Sequence, residues 1–481
     1  MKPLSAEQGP TAAMLTARSP SVRWALACLS LSMLLSSLGI SIANVGLPTL
    51  AQSFKASFQD VQWVVLAYLL AITTLVVSAG RLGDVVGRRS LMLAGLLLFT
   101  LASMMCGLAP TLGWLVAARA VQGVGAAIMM ALTMAFVGET VPKARTGMAM
   151  GLLGTMSAIG TALGPSLGGL LIAGFGWRLI FLVSVPLGFL ALFLAHRHLP
   201  VEFRAPKNEP TGVDLSGMLL LGLALAAYAL SMTRGRGHFG TLNLALLLVA
   251  AIGIGLFVFV EARAASPLIK LAMFRDRTLT AGLAMSALVS TVMMATLVVG
   301  PFYLSQAFGL DAARVGLAMS VGPTVAALAG LPAGRMADRF GAWRMTLTGL
   351  TCIGVGSLML SMVPAALGIG GYLGPIVIIT FGYALFQAAN NTIVMVNVSA
   401  DRRGVISGML NLSRHAGLIT GASAMGAVFS LATSMTDVTM ARSETVATGV
   451  QATFAVGAVL IAGAIAIAAG ARSRSGEHDA G

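Results

Sequence analysis

Charge is what this chain lacks most. Only 10% of its 481 residues are Asp, Glu, Lys or Arg, while 57% are hydrophobic, and the mean hydropathy is +0.91. A water-soluble domain of that make-up could not cover its surface with polar groups, so lipid is the expected solvent. Cysteine is nearly absent as well. Cys28, Cys106 and Cys352 lie far apart inside apolar runs, which leaves neither a disulfide framework nor a metal-type spacing. They read as small hydrophobes, and no metal is expected. The net charge of +14 is spread over short loops without a basic run of five, which argues against a nucleic-acid partner. No Gly-x-x-x-x-Gly-Lys-Ser/Thr loop occurs, so ATP is not the expected energy source and no cofactor is expected. Paired carboxylates, or a nucleophile with a base, are not visible, so the chain does not read as an enzyme. A membrane sensor would need a sizeable soluble domain, yet the longest internal polar stretch is the short one from Arg197 to Asp214.

Long apolar runs are there in number. A helix crosses the hydrocarbon core with about 20 apolar residues. On that measure six spans fall at Trp24–Val45, Val61–Ala79, Leu91–Leu108, Leu112–Val137, Met148–Ile172 and Leu179–Ala195. Two more, Leu215–Met232 and Leu242–Val260, follow the polar stretch. The remaining six are Ala281–Leu304, Val315–Ala333, Met345–Met362, Tyr372–Val394, Val405–Leu431 and Val446–Ala469. The polar segment before Trp24 has no small-residue cleavage site, so the first run is expected to stay as a span. An even number of spans puts both termini on one side. Lys and Arg favour that side by about four to one, which predicts cytoplasmic termini.

The chain also repeats itself. Gly80-Arg81-Leu82-Gly83-Asp84-Val85-Val86-Gly87-Arg88-Arg89 follows span two, and Gly334-Arg335-Met336-Ala337-Asp338-Arg339-Phe340-Gly341 follows span ten, 254 residues later. Gly147, Gly151, Gly160 and Gly164 in span five recur 257 residues later as Gly404, Gly408, Gly417 and Gly421 in span thirteen. Two independent stretches with nearly one offset imply two homologous halves, with spans seven and eight inserted between them. Parallel repeats around a midplane site are an architecture of membrane carriers.

Several stretches together resemble the major facilitator superfamily, and within it the fourteen-span drug:proton antiporter branch. Gly80-x-x-x-Asp84-x-x-Gly87-Arg88-Arg89 resembles the hallmark loop of the superfamily, and Arg119-x-x-Gln122-Gly123-x-Gly125 resembles its fourth-span arginine motif. Gly160-x-x-x-Gly164-Pro165-x-x-Gly168-Gly169 resembles the fifth-span motif of exporters. Ile42-Ala43-Asn44-Val45-Gly46-Leu47-Pro48, Gly176-Trp177-Arg178-x-x-Phe181 and Asn411-Leu412-Ser413-Arg414 resemble the branch itself. The resemblance implies an all-α integral membrane protein of the major facilitator fold. Two six-helix bundles, residues 1–198 and 278–481, would flank a linker, 199–277, that carries two inserted helices. It also implies export of hydrophobic or amphipathic small molecules by alternating access, driven by the proton gradient. The expected setting is a bacterial inner membrane, with small amphipathic organic molecules, protons and lipids as partners and a monomeric state. A dedicated exporter of a metabolite, peptide or lipid is the alternative reading. Two positions depart from the branch. Gly39 stands where many members have an aspartate, and Trp63-Val64-Val65-Leu66 lacks the acidic residue that often follows that tryptophan. Those carboxylates are associated in the branch with proton coupling or cationic drugs.

Physical reasoning assigns provisional roles. Asp84, among Arg81, Arg88 and Arg89, suits a helix cap or ion pair that locks one side shut, with Gly80, Gly87 and the repeat residue Asp338 in the same role. A topological role for the arginines is the plainer alternative. Gly160, Gly164 and Gly168 share one helix face and allow close helix approach, and Pro165 should bend the helix. Arg119 lies roughly 10 Å into span four and Arg414 roughly 13 Å into span thirteen at 1.5 Å per residue. Both must face a cavity or a partner; they either tune cavity charge and proton movement or bond to helix carbonyls. His415, as a histidine, is a candidate proton carrier, or it faces packing, since consecutive helix residues point about 100° apart. No carboxylate lies mid-span, which leaves Asp60 and Glu139 at span ends as further coupling candidates. Asn44, Gln62, Trp63, Tyr68, Gln122, Asn390, Asn391 and Asn411 are the expected substrate-cavity lining. The 28 methionines suit either an adaptable surface or plain core.

Overall fold

A computed structural model describes residues 22–140, 146–200, 215–234, 240–264, 271–362, 367–395, 403–433 and 443–476. No strand occurs among the described residues, and fourteen helices are long and apolar enough to cross a membrane. The first eight are α1 (Val22–Phe54), α2 (Phe58–Val86), α3 (Arg88–Gly107), α4 (Leu112–Thr140), α5 (Thr146–Phe175), α6 (Leu179–His198), α7 (Leu215–Thr233) and α8 (Thr241–Arg263). Then come α9 (Arg277–Ala307), α10 (Ala312–Phe340), α11 (Ala342–Met362) and α12 (Gly368–Met395). Helix α13 runs as Arg403–Thr420, Gly421–Met425 and Gly426–Thr433, and α14 is Ser443–Gly476. Successive spans alternate in direction, so α1 begins and α14 ends at one face, called here the terminal face. The opposite one is the far face.

Each expected span is present, but several helices outrun it. The stretch Gly80–Val86, read as a loop, is instead the last turns of α2. That helix stops at Gly87, whose φ of 105° favours glycine and whose N–H donates to the Gly83 carbonyl at 2.9 Å. Its repeat partner Gly341 ends α10 in the same way, with φ 90° and an N–H bond to the Ala337 carbonyl at 3.1 Å. Hydropathy marks where hydrocarbon ends. Backbone hydrogen bonding carries a helix further, until a residue that can turn it off.

The sequence repeat is also a packing repeat. In the first half α1 lies along α5 so closely that a Cβ on Gly160 would sit 2.5 Å from the Leu34 carbonyl oxygen. A Cβ on Gly164 would lie 2.0 Å from Ser41 Oγ, and one on Gly168 2.7 Å from Val45 Cγ1. In the second half Gly417 and Gly421 press on α9 in the same way, against the Ala287 and Thr291 carbonyls at 2.2 and 2.4 Å. The α3–α4 pair meets through Gly95 and Gly125, and α11–α12 through Gly349 and Gly382, which are their repeat partners. Small residues thus fix each half at the same two helix crossings.

Between the halves α5 packs on α10, α2 on α13, and α1 on α9. Each of the first two contacts is the repeat image of the other. Helices α4 and α12, also repeat partners, have no extensive contact across the halves. The inserted α7 docks on α2, where Trp63 Nε1 donates to Thr233 Oγ1 at 3.1 Å, and on the middle of α13. Helix α8 packs mainly on α7 and turns Leu242, Leu244, Leu248 and Ile252 outward.

Prolines lie inside helices of both halves, Pro301 in α9 and Pro323 and Pro332 in α10 among them, but only the second half has π-helical turns among the described residues. Pro48 lies inside α1 and Pro165 inside α5. At the corresponding places the second half has π-helical turns, Tyr303–Ala307 in α9 and Gly421–Met425 in α13.

Candidate functional site

The far face is sealed between the halves. A Cβ on Gly169 of α5 would lie 2.4 Å from the Ala312 carbonyl oxygen and 2.8 Å from Gly316 Cα of α10, and one on Gly316 would lie 2.4 Å from the Pro165 carbonyl. Here two backbones touch with no side chain between them. On the other flank Phe58 of α2 is wedged between Phe302 and Phe429, at centroid distances of 4.7 and 5.2 Å. Gln59 Nε2 donates to Ser430 Oγ, and Gln62 lies directly against Gly426. Toward the terminal face of the same helices a Cβ added at Gly80, Gly154, Gly330, Gly334 or Gly408 would meet nothing within 4 Å. Contact therefore concentrates at the far ends.

The two intramembrane arginines have different surroundings. Arg119 is fully buried and satisfied. Its Nε donates to the Val64 carbonyl (2.8 Å), Nη2 to the Gly39 carbonyl (3.0 Å) and Nη1 to Gln122 Oε1 (2.6 Å). Gln122 in turn donates to Ser103 Oγ at 2.7 Å. The guanidinium stacks 4.1 Å from the Tyr68 ring, whose hydroxyl donates to the Ser36 carbonyl at 2.9 Å. Arg119, Gln122 and Tyr68 thus form one knot tying α1, α2, α3 and α4. Gly39 belongs to it, since the Tyr68 hydroxyl fills the space where a side chain would begin, 2.8 Å from an added Cβ.

Arg414 of α13 is only half-buried. Its partner is Gln387 of α12, whose amide oxygen, assigned by hydrogen bonding, accepts from Nη2, Nε and Nη1 at 2.5, 3.2 and 3.3 Å. Gln387 was not singled out from sequence. Its signal was an amide one helical turn before Asn391 in an otherwise apolar run. Neighbouring His415 is buried, and its Nδ1 has no partner among the described residues.

The other singled-out residues scatter. Asn390 Nδ2 donates to the Gly282 carbonyl at 3.2 Å, while Asn391 and Asn411 are half-buried. Asn44 is buried and bonds within α1 to the Ile40 carbonyl, and Gln62 is buried in the far seal with neither amide atom partnered. Trp63 faces the inserted helices. Ser57 caps α2: its Oγ accepts from the Asp60 N–H (3.2 Å) and donates to the Asp60 carboxylate (2.7 Å), on an exposed edge. Asp338 is exposed, and Arg89 donates to the His196 carbonyl at the end of α6. The side chains of Asp84 and Glu139 lie outside the described residues. Among the described residues no carboxylate stands mid-span, and none pairs with Arg119 or Arg414.

The sequence profile of the Major Facilitator Superfamily matches residues 29–422. The chain belongs to that superfamily. It is a membrane transporter, not an enzyme. It is 29% identical over 404 residues to a riboflavin transporter of Clostridioides difficile, covering 84% of this chain and 87% of that one. It is 32% identical over 398 residues to the multidrug resistance protein Stp of Mycobacterium tuberculosis, covering 80% and 72%. Among solved structures it superposes on a bacterial homologue of the human lysosomal transporter Spinster, in an inward-facing, unoccupied conformation. There the TM-score is 0.69 at 15% identity, over 95% of this chain and 98% of that one.

Proposed function

We propose that this transporter exports hydrophobic or amphipathic small molecules by alternating access, in exchange for protons. The observation that carries the reading is the asymmetric closure between the halves: backbone contact at the far face, and open space beside the glycines of α2, α5, α10 and α13 toward the terminal face. Residues 1–198 and 278–481 move as the two bodies, with 199–277 as a peripheral insert. The far-face seam at Pro165, Gly169 and Gly316 opens as the terminal ends of α2 and α10, with Gly80, Asp84, Gly87, Arg88, Arg89 and Asp338, close. Both termini are assigned to the cytoplasmic side of a bacterial inner membrane, on the distribution of Lys and Arg. The substrate contacts Gln387, Asn391, Asn411 and Arg414 between α12 and α13. Protons are carried by His415, or by Asp84 and Glu139 near the terminal face. Multidrug resistance proteins among the relatives support the export of varied amphipathic molecules.

The test is reconstitution in liposomes with an acidic interior and a pH-sensitive dye inside. Adding an amphipathic substrate should release internal protons with saturation, and His415→Ala should abolish coupling while substrate binding persists. Substrate movement that ignores the pH gradient in both directions would replace antiport with facilitated export. A second reading, a dedicated exporter of one metabolite, draws on the riboflavin transporter among the relatives. A panel of unrelated amphiphiles separates the two: one accepted compound favours the dedicated exporter, several favour broad efflux.

A further inference from the structure

We infer that the substrate site is selective for anionic amphiphiles, with Arg414 as the residue that recognises the acidic group. The inference rests on the export reading above and narrows its substrate class.

The spans hold little mid-membrane charge, and what they hold has one sign. Arg119 is sealed in its knot, with carbonyl and amide acceptors on all three guanidinium nitrogens. Arg414 differs on each point. It is half-buried, and a single amide oxygen accepts from all three of its nitrogens, so two of its five N–H donors are left over among the described residues. Helix α13 begins at Arg403, which places Arg414 about 16 Å along it at 1.5 Å per residue, well inside the hydrocarbon. An arginine at that depth costs roughly 2.5–3.5 kcal/mol even on insertion scales unless it meets water or an anion.

The position lies where two helices of the second half make little direct contact. Helix α9 packs on both α12 and α13, whereas α12 and α13 scarcely touch each other, and α12 has no extensive contact with the other half. Arg414 reaches from α13 to Gln387 of α12. Asn411 shares its helix face three residues earlier, and Asn391 shares the Gln387 face four residues later. The four side chains offer a fork of guanidinium donors flanked by amides, the geometry that receives a carboxylate or sulfonate in two parallel bonds. Apolar spans around it suit the hydrophobic body of the same molecule. A cation in this place would meet repulsion, with no described mid-span carboxylate to offset it.

The experiment uses the full chain in proteoliposomes and a set of xanthene dyes sharing one ring system, from carboxyfluorescein (anionic) through a neutral ester to rhodamine 6G (cationic). Wild type is expected to bind and move the anion at least about tenfold better than the cation, the size of one charge-assisted contact. Arg414→Gln should erase that preference by weakening the anion alone, and Arg414→Lys should recover part of it, with thermal unfolding showing that both variants fold. Movement of the cation in preference to the anion, or an anion-to-cation ratio unchanged in Arg414→Gln, overturns the inference and leaves amphiphile export standing. If no dye of any charge moves, both fall.

Discussion

Arg119 and Arg414 look alike in the sequence: single arginines inside apolar runs. Their neighbours divide them. Arg119 is a structural cation whose three acceptors sit on α1, α2 and α4, so Arg119→Met should lower stability by about 2–3 kcal/mol, the range for hydrogen bonds to a charged group. Thermal unfolding in detergent would measure it, and Arg119→Lys should recover little because an ammonium cannot fork to three partners. Arg414→Gln, by contrast, should unfold within about 1 kcal/mol of wild type, as a partly exposed group does. The depth of both residues was legible from span position alone. Which of them would be satisfied was not, because that depends on carbonyls of other helices and on Gly39 leaving room for the Tyr68 hydroxyl.

Helix ends and crossings carry the next set of consequences. At Gly169 an added methyl meets main chain, the Ala312 carbonyl and Gly316 Cα, whereas at Gly426 it meets the flexible amide of Gln62, 1.8 Å away. Gly169→Ala should therefore force the far ends apart, and Gly426→Ala should be absorbed by a rotamer change. The readout is alkylation of a Gln59→Cys reporter from the far face, in a chain with Cys352 replaced by serine. Labelling should rise severalfold with Gly169→Ala and stay near the parent with Gly426→Ala; equal labelling would contradict the seam as described. The glycine spacing in span five announced a close-packed face. It could not say that Gly160, Gly164 and Gly168 face α1 while Gly169, one residue on, faces the other half, because that split follows from the rotation of α5 about its axis. Hydropathy likewise found the spans but cut α2 and α10 short, since their last turns are polar and only Gly87 and Gly341 end them. Trp63 turns to α7, a direction fixed by where the inserted pair docks and by nothing local.

For the molecule as a whole, the 254–257-residue repeat gave the two halves before any coordinates, and the paired contacts α5–α10 and α2–α13 are its spatial counterpart. Cross-linking tests their coupling. A short bifunctional reagent joining Gln59→Cys to Ser430→Cys should fix the far face shut and abolish transport, with recovery on cleavage of the linker. Continued transport by the joined protein would mean that this flank does not open. The bends of the two halves have a mechanical consequence. A proline kink is permanent, because the missing N–H cannot be restored. A π turn contains one surplus residue, and a helix can expel it by rewinding, which rotates everything beyond it by about 100° and shifts it by about 1.5 Å. Prolines sit in both halves, but only the second has a screw thread, one in α9 beside Pro301 and another in α13, the helix that bears Arg414. Turning the thread in α13 would swing the arginine around the helix axis without any movement of the first half.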